Sequence, residues 1–148
     1  MGVGVRISMR ADYGARAIID LAQRHGQGLT QTADIAARQR IPESYLEQLL
    51  SSMRKAGLVR SVRGPAGGHA LDRDPAELTL GDVLDVLEGV NPPCACLQNG
   101  ECNVSSTCVL QDVWQDLAEN FQRIVHAISI EDLARKQAER EARSMYHI

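Results

Sequence analysis

A chain of 148 residues, 44% apolar and with a net charge of −3, is one domain, or one small domain plus an extension. No stretch approaches the roughly 18 apolar residues of a membrane span, and "MGVGVRISMR" lacks the apolar centre of a secretion signal. Gly2 is no acylation site, because Arg6 stands where Ser or Thr is needed. The expectation is a cytoplasmic chain whose core, with only 3% aromatics, is built from Leu, Ile, Val and Ala and is mainly helical.

In chain order, "RADYGARAIIDLAQRHG" reads as a helix ending at Gly26 or Gly28. "TADIAARQR" is a second, short helix. "IPESYLEQLLSSMRKAG" is a third, with Pro42 near its start, Lys55 in its last turn and Gly57 closing it. Ile35, Tyr45, Leu46, Leu49, Leu50 and Met53 have helical spacing and read as core. "LVRSV" and "HAL" flank the turn-forming "RGPAGG", which predicts a hairpin with a glycine-rich tip. "TLGDVLDVLEG" is a fourth helix, with Thr79 and Asp82 at the positions of a capping box.

After "NPP" comes a loop holding all four cysteines, Cys94, Cys96, Cys102 and Cys108. Beyond it, Leu110, Trp114, Leu117, Phe121, Ile124 and Ile128 recur at heptad spacing. Such a seam either packs on its own domain or meets a second copy; its narrowness favours a dimer helix. "SIEDLARKQAEREARSMYHI" reads as a last helix that turns polar and frays.

Charge divides the chain. Residues 1–75 carry 11 Lys/Arg against 7 Asp/Glu, net +4; residues 76–148 carry 5 against 12, net −7. A basic first half points to a polyanion as its partner. Three helices followed by a hairpin is the order of a winged helix, whose third helix enters the major groove of double-stranded DNA. Glu43, Ser44, Glu47 and Gln48 then face base edges. Arg63, beside Gly64 at the tip, suits a narrow minor groove, and Arg38, Arg40, Arg54, Lys55 and Arg60 are in range of phosphates. Singly, each is an ordinary solvated side chain; order and charge together make the case. "GPAGGH" lacks the Lys-Ser/Thr of a phosphate loop.

"ADYGARAIIDLA", "IPESYLEQLLSSMRKAGLVRSVRGPAGG", "LTLGDVLDVLEG" and the cysteine loop resemble the IscR/NsrR/CymR family of bacterial winged-helix regulators, over about residues 6 to 135. The resemblance implies a homodimeric transcription factor and no enzyme. It also implies a long C-terminal helix crossing to the partner, base contacts from Ser44, Glu47 and Gln48, and a minor-groove Arg63. Typical members begin near Val5 of this chain, so Met1 to Gly4 reads as an extension or a misassigned start. The expected organisation is a winged-helix DNA-binding domain over 6–90, a cysteine loop over 91–108 and dimerisation helices over 109–143.

Cys96, Cys102 and Cys108 are separated by five residues each. Zinc sites usually use two close pairs; three thiolates on a loop fit an iron–sulfur cluster, 2Fe-2S or 4Fe-4S, better. The spacing also matches the cluster-binding members of the family. Their fourth ligand does not transfer directly, because Gln111 stands where IscR-type members carry His. Asp12 occupies the position at which NsrR-type members supply a carboxylate from the partner subunit, and Cys94 is the alternative thiolate; another group or solvent completes the choice. Asp12 also suits the first turn of a helix on charge alone. His25, His69, His126 and His147 read as isolated surface or packed residues. A cluster bridging the loop to the partner's first helix would set the angle between two winged helices. The rivals are a regulator whose thiols sense oxidation without iron, a structural zinc site, and a thiol enzyme, which the lack of Cys-x-x-Cys disfavours.

Overall fold

The computed structural model describes residues 7–89 and 107–146. Cys94, Cys96, Cys102 and His147 lie outside these residues, as does most of the 91–108 segment. Helix α1 (Met9–Gln23) starts where the Ser8 hydroxyl accepts from the Ala11 amide at 3.1 Å, with Asp12 placed well against the helix dipole. Helix α2 (Thr32–Gln39) ends on Arg40, which adopts the left-handed conformation at φ 55°, ψ 48°. This allows the tight turn into α3 (Glu43–Lys55). Gly57, at φ 82°, stops α3, and the chain enters the hairpin of β1 (Val59–Val62) and β2 (Gly68–Leu71). The strands are antiparallel, with Val59 opposite Leu71 and Ser61 opposite His69.

Helix α4 (Leu80–Glu88) has the full capping box: the Thr79 hydroxyl accepts from the Asp82 amide and the Asp82 carboxylate accepts from the Thr79 amide. Helices α5 (Val109–His126) and α6 (Ile130–Met145) complete the described chain. This is the mainly α winged helix-turn-helix with a small β-hairpin wing and a long C-terminal helix that the sequence predicts. No described helix is long and apolar enough to cross a membrane.

One main core joins helices α1 through α4, the hairpin and α6, while α5 packs on a second, smaller cluster through Val125 and Phe121. Ile18, Ile35, Leu46, Leu49, Leu50, Met53, Leu58, Leu78, Val83 and Ile130 are fully buried in the main core or nearly so. Gly14 lets α1 approach α4 closely, since a Cβ there would overlap the Leu87 side chain.

The C-terminal end departs from expectation. Helix α6 does not fray: it lies along α1. Ile130 and Ala134 enter the main core and Leu133 packs against it. Backbone bonds from Ile130 N to Leu78 O at 2.8 Å and from Leu80 N to Ile128 O at 2.9 Å stitch its start to the segment before α4. Residues 130–134 therefore share the core of residues 7–89. Ile128 also leaves the expected seam, because α5 ends at His126 and Ile128 belongs to the connection.

Candidate nucleic-acid interface and cysteine site

Helix α3 divides cleanly. Leu46, Leu49, Leu50 and Met53 are at most 1% exposed, and Tyr45 packs edge-on against Tyr13 with ring centres 5.9 Å apart. The opposite face carries Glu43, Ser44, Glu47 and Gln48, all exposed. Burying the first set forces the second outward at 3.6 residues per turn.

The cations expected at phosphates fall into two groups. Arg40, Arg54, Lys55, Arg60 and Arg63 are exposed, and their side chains make no hydrogen bond or ion pair with any described residue. Arg38 is committed elsewhere. It holds Asp20, 1% exposed, through Nε at 3.0 Å and a terminal guanidinium nitrogen at 2.9 Å. Gln39 Nε2 donates to the same carboxylate at 3.1 Å and Arg24 lies 3.4 Å from it. The bond to Asp20 holds the Arg38 guanidinium above its ordinary pKa. A buried carboxylate needs such partners, so the first task of Arg38 is to satisfy Asp20.

The wing is fastened to the body by groups the sequence did not reveal. Thr30 pairs with His69 as an added edge of the hairpin, the two backbone bonds measuring 2.8 and 2.7 Å. The His69 ring lies between two hydroxyls, Thr32 Oγ1 at 2.8 Å from Nε2 and Ser61 Oγ at 2.7 Å from Nδ1. Burial pushes its pKa down, with Glu47 raising it and Arg54 lowering it to lesser extents. Gln31 Nε2 donates to the Pro65 carbonyl at 3.1 Å. At the tip, Gly64 takes φ 105° and Gly67 N bonds back to Gly64 O at 2.9 Å, leaving Arg63 exposed. The sequence places His69 at the start of the returning strand but gives neither its register opposite Ser61 nor its partner Thr32, which lies 37 residues away.

Of the cysteines, Cys108 alone is described. It is the half-buried N-cap of α5, and its side chain makes no capping bond. Gln111, one turn on, donates its amide to the Cys108 carbonyl at 3.3 Å. Asp12 is exposed, with Arg16 Nε 3.3 Å from its carboxylate. The same guanidinium donates to Gln39 O at 3.0 Å and lies 4.6 Å from the centre of the Tyr13 ring. The turn of α1 that carries Asp12 is fixed beside the end of α4, where the cysteine segment departs: Arg10 Nε donates to Leu87 O at 3.1 Å and Ser8 N to Glu88 Oε1 at 2.9 Å. Among the described residues no three His, Cys, Asp or Glu side chains form a metal-binding group.

Helix α5 is the apolar exception of the surface. Leu110, Leu117 and Ile124 are 50, 53 and 61% exposed, and Val109 and Val113 are exposed with them. Phe121 turns inward to Ala11, Leu84 and Val125, and Trp114 is half-buried. The last turn is pinned to α4. His126 Nε2 is 3.2 Å from Asp85, while Nδ1 lies 3.2 Å from the Thr79 hydroxyl and 3.7 Å from Asp82.

Residues 7–136 match the model of the Rrf2 family, described as iron-dependent transcriptional regulators. The chain is 36% identical over 143 residues to the HTH-type transcriptional regulator CymR of Bacillus subtilis, covering 96% of this chain and 99% of that one. It is 35% identical over 133 residues to the HTH-type transcriptional regulator IscR of Klebsiella pneumoniae, covering 90% and 82%. Among solved structures it resembles CymR, the global cysteine regulator of B. subtilis, at TM-score 0.75 and 35% identity over 90% of this chain and 98% of that one. It resembles IscR of T. potens equally, at TM-score 0.75 and 35% identity over 90% and 89%.

Proposed function

The chain belongs to the Rrf2 family of transcriptional regulators, and we propose that it is a cytoplasmic, homodimeric DNA-binding regulator that senses redox state, nitric oxide or iron–sulfur status through a cluster. Cys96, Cys102 and Cys108 would hold that cluster, with Asp12 of the partner subunit as the fourth ligand. The observation that carries the reading is the three-cysteine spacing, with its last thiol at the root of the helix whose apolar face is exposed. The donor set fits: thiolates suit iron–sulfur chemistry, Cys108 is not consumed in capping, and Asp12 is exposed with only a surface ion pair to give up. When bound, the cluster supplies a redox- and nitric-oxide-responsive centre.

The chain's own residues offer a route from that site to DNA. Arg16 joins Asp12 to the last residue of α2 and stacks on Tyr13, which packs on Tyr45 of α3. Altering what Asp12 binds redistributes the hydrogen bonds of Arg16 at the helix-turn-helix. On DNA, Ser44, Glu47 and Gln48 read base edges, Arg63 enters the minor groove, and Arg40, Arg54, Lys55 and Arg60 meet phosphates. A hundredfold change in operator affinity needs only about 2.7 kcal/mol of difference between the two states.

Anaerobic purification with iron and sulfide counts tests the reading. Brown protein carrying both is expected, and replacing Cys96, Cys102 or Cys108 with Ala should leave it colourless but folded. Asp12→Ala should keep iron but alter the spectrum and weaken the response of DNA binding to cluster state. Loss of the cluster in Cys94→Ala, with Asp12→Ala matching the parent in spectrum and DNA response, would reassign the fourth ligand. A second reading is favoured by the likeness to a cysteine regulator: the thiols take the signal directly, without iron. Colourless anaerobic protein whose operator binding still responds to thiol oxidation would establish it, and zinc without sulfide would mark a structural metal.

A further inference from the structure

We infer that His69 is a positioning residue for DNA recognition: by bridging Thr32 of α2 and Ser61 of β1, its imidazole holds the wing against the helix-turn-helix and so sets where Arg63 meets the minor groove. The inference rests on the DNA-binding reading above and adds a residue that contacts no DNA itself.

The wing needs such a device. Each strand has four residues, and an isolated two-stranded hairpin is marginal in water. Here the hairpin gains an edge from Thr30, whose two backbone bonds go to His69 and no other strand residue. Approach at this edge is close enough that a Cβ on Gly68 would overlap the Thr30 backbone. The His69 side chain then ties together three pieces of chain. Its own strand is β2, its Nδ1 partner Ser61 is directly opposite on β1, and its Nε2 partner Thr32 is the first residue of α2. Gln31, the residue before, holds the tip through the Pro65 carbonyl. The wing is thus pinned at its middle and at its tip to the start of the helix-turn-helix.

Histidine suits the position chemically. A neutral imidazole offers one donor and one acceptor on opposite sides of a rigid ring, and each hydroxyl can supply the complement. Burial favours the neutral ring. A phenyl ring would fill similar volume and leave both hydroxyls without their partner. An exposed arginine on a loosely held tip must be ordered when it binds; one on a fastened tip has that ordering done already. Loss of His69 should therefore act through Arg63 and leave α3 alone.

The test uses the full-length protein and the tightest duplex recovered by in vitro selection, beside the same duplex with its A·T flanks changed to G·C. His69→Phe should bind the A·T-flanked duplex about tenfold more weakly, as expected for two lost hydrogen bonds of ordinary net strength. It should change binding to the G·C-flanked duplex little. In an Arg63→Ala background, His69→Phe should cause no further loss. Ser61→Ala and Thr32→Val should each give part of the effect, and His69→Gln, which keeps a donor and an acceptor, should recover part of it. Amide exchange should rise in residues 63–68 and stay unchanged in α3. An equal loss from His69→Phe with and without Arg63, or on both duplexes, would overturn the inference while leaving the minor-groove reading intact. An Arg63→Ala protein that keeps full flank preference would instead remove the minor-groove reading, and this inference with it.

Discussion

Helices α3 and α5 are both amphipathic, yet they resolve it in opposite ways. In α3 Leu46, Leu49, Leu50 and Met53 are buried inside the chain, Tyr45 packs against the same core, and the polar face looks out. In α5 Val125 is the sole fully buried residue, while Leu110, Leu117 and Ile124 remain half-exposed or more. The first pattern belongs to a helix that one chain completes. The second is a row of apolar side chains at seven-residue spacing that no described residue of its own chain covers, the pattern of a seam that a second copy could close.

That contrast sets the expected effects of substitution. The largest comes from Leu117→Asp combined with Ile124→Asp. Each carboxylate would have to be desolvated in the seam at a cost of several kcal/mol. Sedimentation should show monomers, operator binding should fall at least about a hundredfold, and the far-UV spectrum should be unchanged. A full-strength dimer would refute the seam. Phe121→Asp should behave differently, since Phe121 packs inside its own chain; it should lower the melting temperature as well.

Next is Leu49→Ala in α3, which should cost about 2–5 kcal/mol of folding stability, at any protein concentration, as read from urea midpoints. A cost that grows on dilution would mean that α3, too, depends on association. Gln48→Ala, on the outer face of the same helix, should leave stability alone and cost about 1–3 kcal/mol at one base position if its contact is bidentate. Equal loss on random duplex would reduce Gln48 to a backbone contact.

The smallest effect is the titration of His69. Its folded pKa lies below the ordinary value of 6.5, so the unfolded chain binds more protons as pH falls through that value. Stability should be level above it and decline as pH drops below it toward the folded pKa. His69→Phe should remove this part of the decline. Because the His69 ring bonds to Thr32 and Ser61 and lies apart from the exposed row of α5, the difference between parent and variant should not vary with protein concentration.

Local rules made much of this legible. The capping box at Thr79 and Asp82, the glycine stop at Gly57 and the α3 stripe depend on residues within one or two turns, and all stand as read. What escaped depends on distant partners. Asp20 sits in an apolar run, a signal that it is buried, but its partner Arg38 is 18 residues away on another helix. The apolar contacts that dock α6 come from Ile130, Leu133 and Ala134, too few in the sequence to distinguish a packed start from a fraying polar helix, and the backbone bonds at its start run to residues about 50 positions away. Phe121 shares its heptad with Leu117, and only the presence of Ala11 and Leu84 behind it turns it inward. Three of the four cysteines lie outside the described residues, and the five-residue spacing of Cys96, Cys102 and Cys108 in the sequence is what marks those three as candidate ligands.

Arg40 carries a further consequence. It is the one residue other than glycine with positive φ among those described, a conformation that costs an L-residue about 1–2 kcal/mol. Glycine would sit there with less strain and has no charge to offer. If Arg40 meets a phosphate as proposed, the turn between α2 and α3 is a point where selection for a robust fold and selection for a grip on DNA pull in opposite directions. Arg40→Gly should raise the melting temperature and lower operator affinity together, a pairing that a merely tolerated surface residue would not produce.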